Sequence, residues 1–207
     1  TTTATVTLTL NGVVGSDSVS STNGATFSQS DVGTGITATV NSITLTGDDA
    51  GNYTISSGQT DTAAITAKAL TYTVDASDKT YDGTDAATVT ITLSGLVGAE
   101  TLTASETSTF AQTTVGTGIT VTVDSISLVD GTGDADNYSI SSGQTDTAAI
   151  TAKTLTATAD AADKTYDGTA TATVTLTLSG VVGSDSVSST NGATFSQSDV
   201  GTGLTAT

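Results

Sequence analysis

The hexapeptide KTYDGT stands at residues 79–84 and again, letter for letter, at 164–169. NYTISSGQTDTAAITAK at 52–68 returns at the same offset as NYSISSGQTDTAAITAK at 137–153. VGTGI at 32–36 returns at 115–119, an offset slightly shorter. The difference falls between TGDDAGN and VDGTGDADN, where an exposed loop absorbs it. Residues 1–39 and 169–207 then differ only at Thr2/Ala170, Asn11/Ser179 and Ile36/Leu204. Copying on this scale constrains the fold more than any single motif, because each copy must bury its own apolar face and lean on its neighbours for the rest. Cut after the ITAK motif, the chain reads as a partial module over 1–68, which lacks its first strand and its KTYDGT turn. A complete module over 69–153 follows, then a module over 154–207 truncated at its C-terminal side.

Within 69–153 the apolar residues alternate. Leu70, Tyr72, Val74 and Ala76 form one set, Ala87, Val89, Ile91 and Leu93 a second, and Ile119, Val121 and Val123 a third. Ile126 and Leu128 continue in the opposite phase, so a bulge or bend is expected around Asp124–Ser125. NYSIS and TAAITAK supply two further short strands. Period 2 with Gly- and Asp-rich breaks predicts antiparallel sheet with one wet face. Threonine, about a quarter of the chain, suits that face because its β-branch favours extended backbone. About seven short strands per module predict an all-β fold of tandem immunoglobulin-like β-sandwich modules in a linear array. The alternative is a β-grasp-like module, which needs a helix whose 3.6-residue period is absent. Tyr53 and Tyr138 follow acidic turns, as a corner tyrosine does when its hydroxyl ties turn backbone. Val, Ile, Leu and Ala with one or two aromatics, such as Phe27 or Phe110, make a small core.

With 21 acidic and four basic residues the net charge is −17, which excludes nucleic acid and anionic membrane as partners, since both are held by Lys and Arg. No run approaches the roughly 20 apolar residues of a membrane helix. There is no Cys and no His, so disulfides, thiolate chemistry and the commonest general base and metal ligand are all missing. A hydrolase would need paired carboxylates or a Ser–Lys pair, and no Ser or Asp stands apart from the repeated turns. The chain is therefore expected not to be an enzyme. With no Met, Thr1 is expected to be interior to a longer protein.

DKTYDGT, ATVTITLSG, VGTGI, GDADNYSI and the closing ITAK, in that order, resemble the YDG-type repeat of very large secreted bacterial surface proteins, including relatives of filamentous haemagglutinin-like adhesins. The resemblance spans the complete module and both partial ones. It implies an extracellular location and a structural role in a fibre or adhesin stalk, with neighbouring modules, or other copies in a filament, as partners. The rival role is a module that itself binds a glycan or host-surface ligand.

Lys79, Tyr81, Asp82 and Gly83, with Lys164, Tyr166, Asp167 and Gly168, read as a structural turn. Asp and Gly suit tight-turn geometry, and Tyr can bury its ring while its hydroxyl reaches a polar partner. The turn follows the first strand and is expected near the preceding module's closing ITAK, with Tyr81 and Tyr166 partly buried at a junction. The sharper alternative is a Lys–Asn or Lys–Asp isopeptide; the expectation is free amines near acidic groups. Asp75, Asp78, Asp82, Asp130, Asp134 and Asp136 are the candidates for calcium, a hard cation that takes oxygen ligands, although no EF-hand spacing is present. Otherwise no cofactor is expected. Asn52 and Asn137 match the glycosylation acceptor pattern, but read here as part of the tyrosine turn.

Overall fold

The computed structural model describes the whole chain, Thr1–Thr207. It is all-β. Apart from two single-turn 3-10 segments, Ala50–Asn52 and Ala135–Asn137, every regular element is a strand. The helix that a β-grasp module requires is absent, which removes that alternative. No helix is long and apolar enough to cross a membrane.

Two compact units divide the chain, and each gathers parts of two successive repeats. The first holds Thr1–Thr73, Ile91–Glu106 and Ile126–Ser142. Its four-stranded sheet runs in the order Thr3–Ala4, Ser20–Phe27, Gly33–Thr46, Thr60–Ile65, with antiparallel neighbours throughout. Alternation puts Ala4, Ala25, Ala38 and Val40 on one face, where Val6, Leu8, Phe27 and Ile43 pack against them. A second cluster joins Leu70, Leu102 and Tyr138 with Leu93, Leu96 and Leu128.

The other unit holds Val74–Thr90, Thr107–Ser125 and Gly143–Thr207. Its core is Phe110, Ile119, Val121, Ala148 and Ile150, bordered by Ala76, Tyr81, Ala87 and Val89. Lys79–Thr80 lies beside Thr145–Thr151, which pairs in turn with Gly116–Asp130, and Leu102–Phe110 completes that sheet. Further along, Thr156–Ala161 pairs antiparallel with Val174–Ser179.

The expected phase slip is present. Asp124 and Ser125 are exposed in succession, between buried Val123 and half-buried Ile126. At the matching place in the first copy, Gly24 faces Ser42 and Ala25 faces Val40, so Asn41 is the extra residue of a bulge. One expectation needs correction: the pairing is not wholly antiparallel. Lys68–Ala69 runs parallel to Tyr138–Ser139, and Lys79–Thr80 runs parallel to the end of Thr145–Thr151. Period 2 reports which face of a strand is wet, and it carries no information about the direction of the neighbour.

Candidate functional site: the repeated turns

KTYDGT forms a turn closed by its own lysine. Asp82 accepts from the Thr84 amide and hydroxyl, both at 2.9 Å, an Asx-type turn that Gly83 completes at φ 82°. Lys79 Nζ then reaches back to Asp82 Oδ1 at 2.8 Å, the Thr84 carbonyl at 3.1 Å and the Ala86 carbonyl at 3.0 Å. An ammonium has three protons to donate, so the turn saturates it. Nζ also lies 5.8 Å from the centre of the buried Phe110 ring, within range of a cation–π attraction. The Lys79 ammonium, helped by the Thr84 donors, holds the Asp82 carboxyl down at about 2. The second copy repeats the geometry: Lys164 Nζ meets Asp167 at 2.8 Å, the Thr169 carbonyl at 2.8 Å and the Thr171 carbonyl at 3.1 Å, with Gly168 at φ 76°. The Asp167 carboxyl is lowered to about 2 for the same reasons.

The surroundings of the two copies differ. Tyr81 is half-buried against the Phe110 core, and its hydroxyl donates to Asp185 Oδ2 at 2.8 Å. Asp185 belongs to the following repeat, whereas the sequence places the turn near the preceding repeat's ITAK. The ITAK beside the turn is that of its own repeat, where the Thr151 carbonyl accepts from the Tyr81 amide at 2.8 Å. Tyr166, expected partly buried, is 62 % exposed.

Tyr53 and Tyr138 each fasten a turn. Tyr138 is buried; its hydroxyl donates to Glu100 Oε2 and accepts from the Val97 amide at 3.0 Å. Tyr53 donates to Asp17 Oδ2 at 2.5 Å and accepts from the Val14 amide at 2.9 Å. The backbone they tie is thus the V-G-x-[D/E] turn well upstream in the same repeat, rather than the acidic turn beside them. The neighbouring carboxylate raises the pKa of both phenols.

Sequence reasoning misses the partners of these tyrosines: Asp17, Glu100 and Asp185, the acidic residue of the V-G-x-[D/E] turn in all three copies. That recurrence is the signal that could have found them. It also misses the role of Asn137, whose side-chain oxygen accepts from the Val32 amide at 2.7 Å and whose amide donates to Asp31 at 3.1 Å, in the preceding repeat.

The carboxylates singled out for calcium are dispersed. Asp78 accepts from the Ala149 amide, Asp130 from the Ala135 amide, and Asp134 from the Asp136 amide. Asp82 is paired with Lys79, while Asp75 and Asp136 are exposed. No three acidic side chains of the chain converge as metal ligands would.

A model of the YDG domain matches residues 1–63, 66–148 and 151–207. The chain belongs to the YDG domain family. No curated protein and no solved structure gives a significant match. The tripeptide Tyr-Asp-Gly in this YDG chain is the turn that Lys79 and Lys164 close.

Proposed function

We propose that this YDG chain is a structural, non-catalytic segment of an extracellular bacterial fibre or adhesin stalk, holding another domain away from the cell. Its modules are 1–68, 69–153 and 154–207, each an immunoglobulin-like β-sandwich or part of one, in a linear array. The observation that carries the reading is the use of the repeated residues. The lysine and aspartate of each KTYDGT copy, and the hydroxyls of Tyr53, Tyr81 and Tyr138, are spent on fastening turns to backbone and to neighbouring copies. A chain without His or Cys has little else from which to build an active site. High negative charge favours solubility and self-avoidance in a long polymer. The sandwich reading is supported by alternating strands and by tyrosine hydroxyls that tie turn backbone.

Two measurements test it. Antibodies raised against the purified chain are expected to label intact, unpermeabilised cells of the source bacterium; labelling only after permeabilisation would overturn the location. The purified chain is expected to show no saturable binding to host cells or a glycan array. Tight saturable binding would favour the rival reading, in which the modules are themselves the adhesive surface.

A further inference from the structure

We infer that successive repeats meet through one composite joint of four loops. Each repeat boundary here contains part of it. Between the first and second repeats, the loop at Asp31–Val32 meets the loop at Asn137. Between the second and third repeats, the KTYDGT turn meets the V-G-S-D turn. Tyr81 donates to Asp185, and a Cβ placed on Gly83 would stand 3.1 Å from Val182 Cγ1. Superimposed by sequence position, the contacts complement each other. One repeat contributes its KTYDGT turn and VGTG loop, and the next contributes its V-G-x-[D/E] turn and Asn-Tyr loop.

Exposure of equivalent residues tracks the presence of the neighbouring loop. Val32 is half-buried beside the Asn137 loop, whereas Val115 is 53 % and Val200 84 % exposed where that loop is missing. Val182 is half-buried beside a KTYDGT turn, whereas Val97 is 49 % and Val14 68 % exposed where that turn is missing. Asn137 is half-buried and Asn52 exposed. Tyr81 and Tyr166 follow the same rule. Local sequence cannot account for these differences, since the loops are nearly identical; the neighbour accounts for them.

The carboxylate of the V-G-x-[D/E] turn is the centre of the joint. Asp17 and Asp185 are the same position in two copies of the turn. Asp17 takes a phenol from its own repeat, Tyr53, while Asp185 takes one from the preceding repeat, Tyr81. A carboxylate has acceptor capacity for both. In a complete joint the one acidic side chain holds both phenols and couples the fold of a repeat to its seat on its neighbour. This inference concerns how repeats join, and it stands whether the array serves as a stalk or as an adhesive surface.

The chain has no cysteine, so paired spin labels can be placed cleanly. Labels at the exposed sites Thr90→Cys and Ser188→Cys span the second joint. Pulsed electron–electron resonance is expected to give a narrow distance distribution that broadens in Tyr81→Ala and, less, in Tyr81→Phe. Tyr166→Ala, made where no neighbour sits, should leave it unchanged. Equal widths for Tyr81→Ala and the parent, or equal broadening by Tyr166→Ala, would overturn the joint; circular dichroism of each variant separates loosening from unfolding. To place a following repeat against Tyr166, a second copy of residues 40–153 is appended after Thr207, which continues the repeat. Nitration of Tyr166 by tetranitromethane, read by peptide mass, should slow several-fold to the rate of Tyr81. A Tyr166 that stays as reactive as before would show that its face does not receive another copy.

Discussion

The phenol of Tyr138 donates to the Glu100 carboxylate and, through the same oxygen, accepts the Val97 amide at 3.0 Å. One side chain thereby closes a distant turn with its oxygen and fills a hydrophobic cluster with its ring. Tyr138→Phe is expected to lower the urea midpoint, because the Val97 amide loses its acceptor and the carboxylate its donor. Tyr72→Phe is the contrast. Tyr72 is buried, with a hydroxyl that meets no partner, so removing the oxygen should leave the midpoint unchanged or raise it. A larger loss for Tyr72→Phe than for Tyr138→Phe would refute the assignment.

The same phenol has a signed pH dependence. Glu100 raises the Tyr138 pKa, so the folded state holds its proton more tightly than the unfolded state does. The stabilisation is complete below the unfolded value of about 10 and disappears as pH rises through the higher folded value. Urea midpoints followed into the alkaline range should fall there, and by less in Tyr138→Phe.

At the acid end, Asp82 and Asp167 act in the opposite sense. Their folded values of about 2 lie below the ordinary carboxylate value, so their contribution is present above about pH 4 and is lost as pH falls toward 2. Lys79→Met should remove the largest part of the Asp82 share of this acid dependence. Both lysines should carry free amines: intact mass is expected to match the sequence. A deficit of about 17 Da (isopeptide to Asn) or about 18 Da (to Asp) would establish a crosslink instead.

Packing sets two larger effects. Ile150, fully buried in the Phe110 core, should cost about 2–5 kcal/mol when cut to Ala, whereas Val200→Ala, on the surface, should stay within about 0.5 kcal/mol. Gly47 sits at φ 116°, where a Cβ would come within 2.2 Å of the Ser18 carbonyl oxygen. Gly47→Ala should destabilise by about 1–3 kcal/mol, while Gly51→Ala, with open space around it, should not. Thermal or urea unfolding reads all four.

Calcium should have little to bind. Melting with and without millimolar calcium is expected to superimpose, because a ligand held only by the native state would raise the midpoint with concentration. A concentration-dependent rise would restore the acidic turns as cation sites.

The strands were legible because alternation is local. Ile119, Val121 and Val123 announce their burial by sequence spacing alone, and the slip at Asp124–Ser125 announces the bulge. The lysine-closed turn was half legible: Asp-Gly signals the turn, but nothing in KTYDGT says that Lys79 folds back on Thr84 and Ala86. Of the Tyr138–Glu100 and Tyr81–Asp185 contacts, the recurring acidic residue was legible but the pairing was not. They join residues 38 and 104 positions apart, and their geometry follows from how strands are stacked, which no short window of sequence records.

The compact units and the copied units are out of register, since each compact unit is assembled from parts of two successive repeats. Each hydrophobic cluster nevertheless lies within a single copy, so what crosses from copy to copy is loop and hydrogen bond rather than core. If the repeats join as proposed, inserting or deleting a whole two-repeat block would regenerate the same boundaries on either side, because the copied residues are the same. On that reading the number of blocks can change with no new interface to be invented.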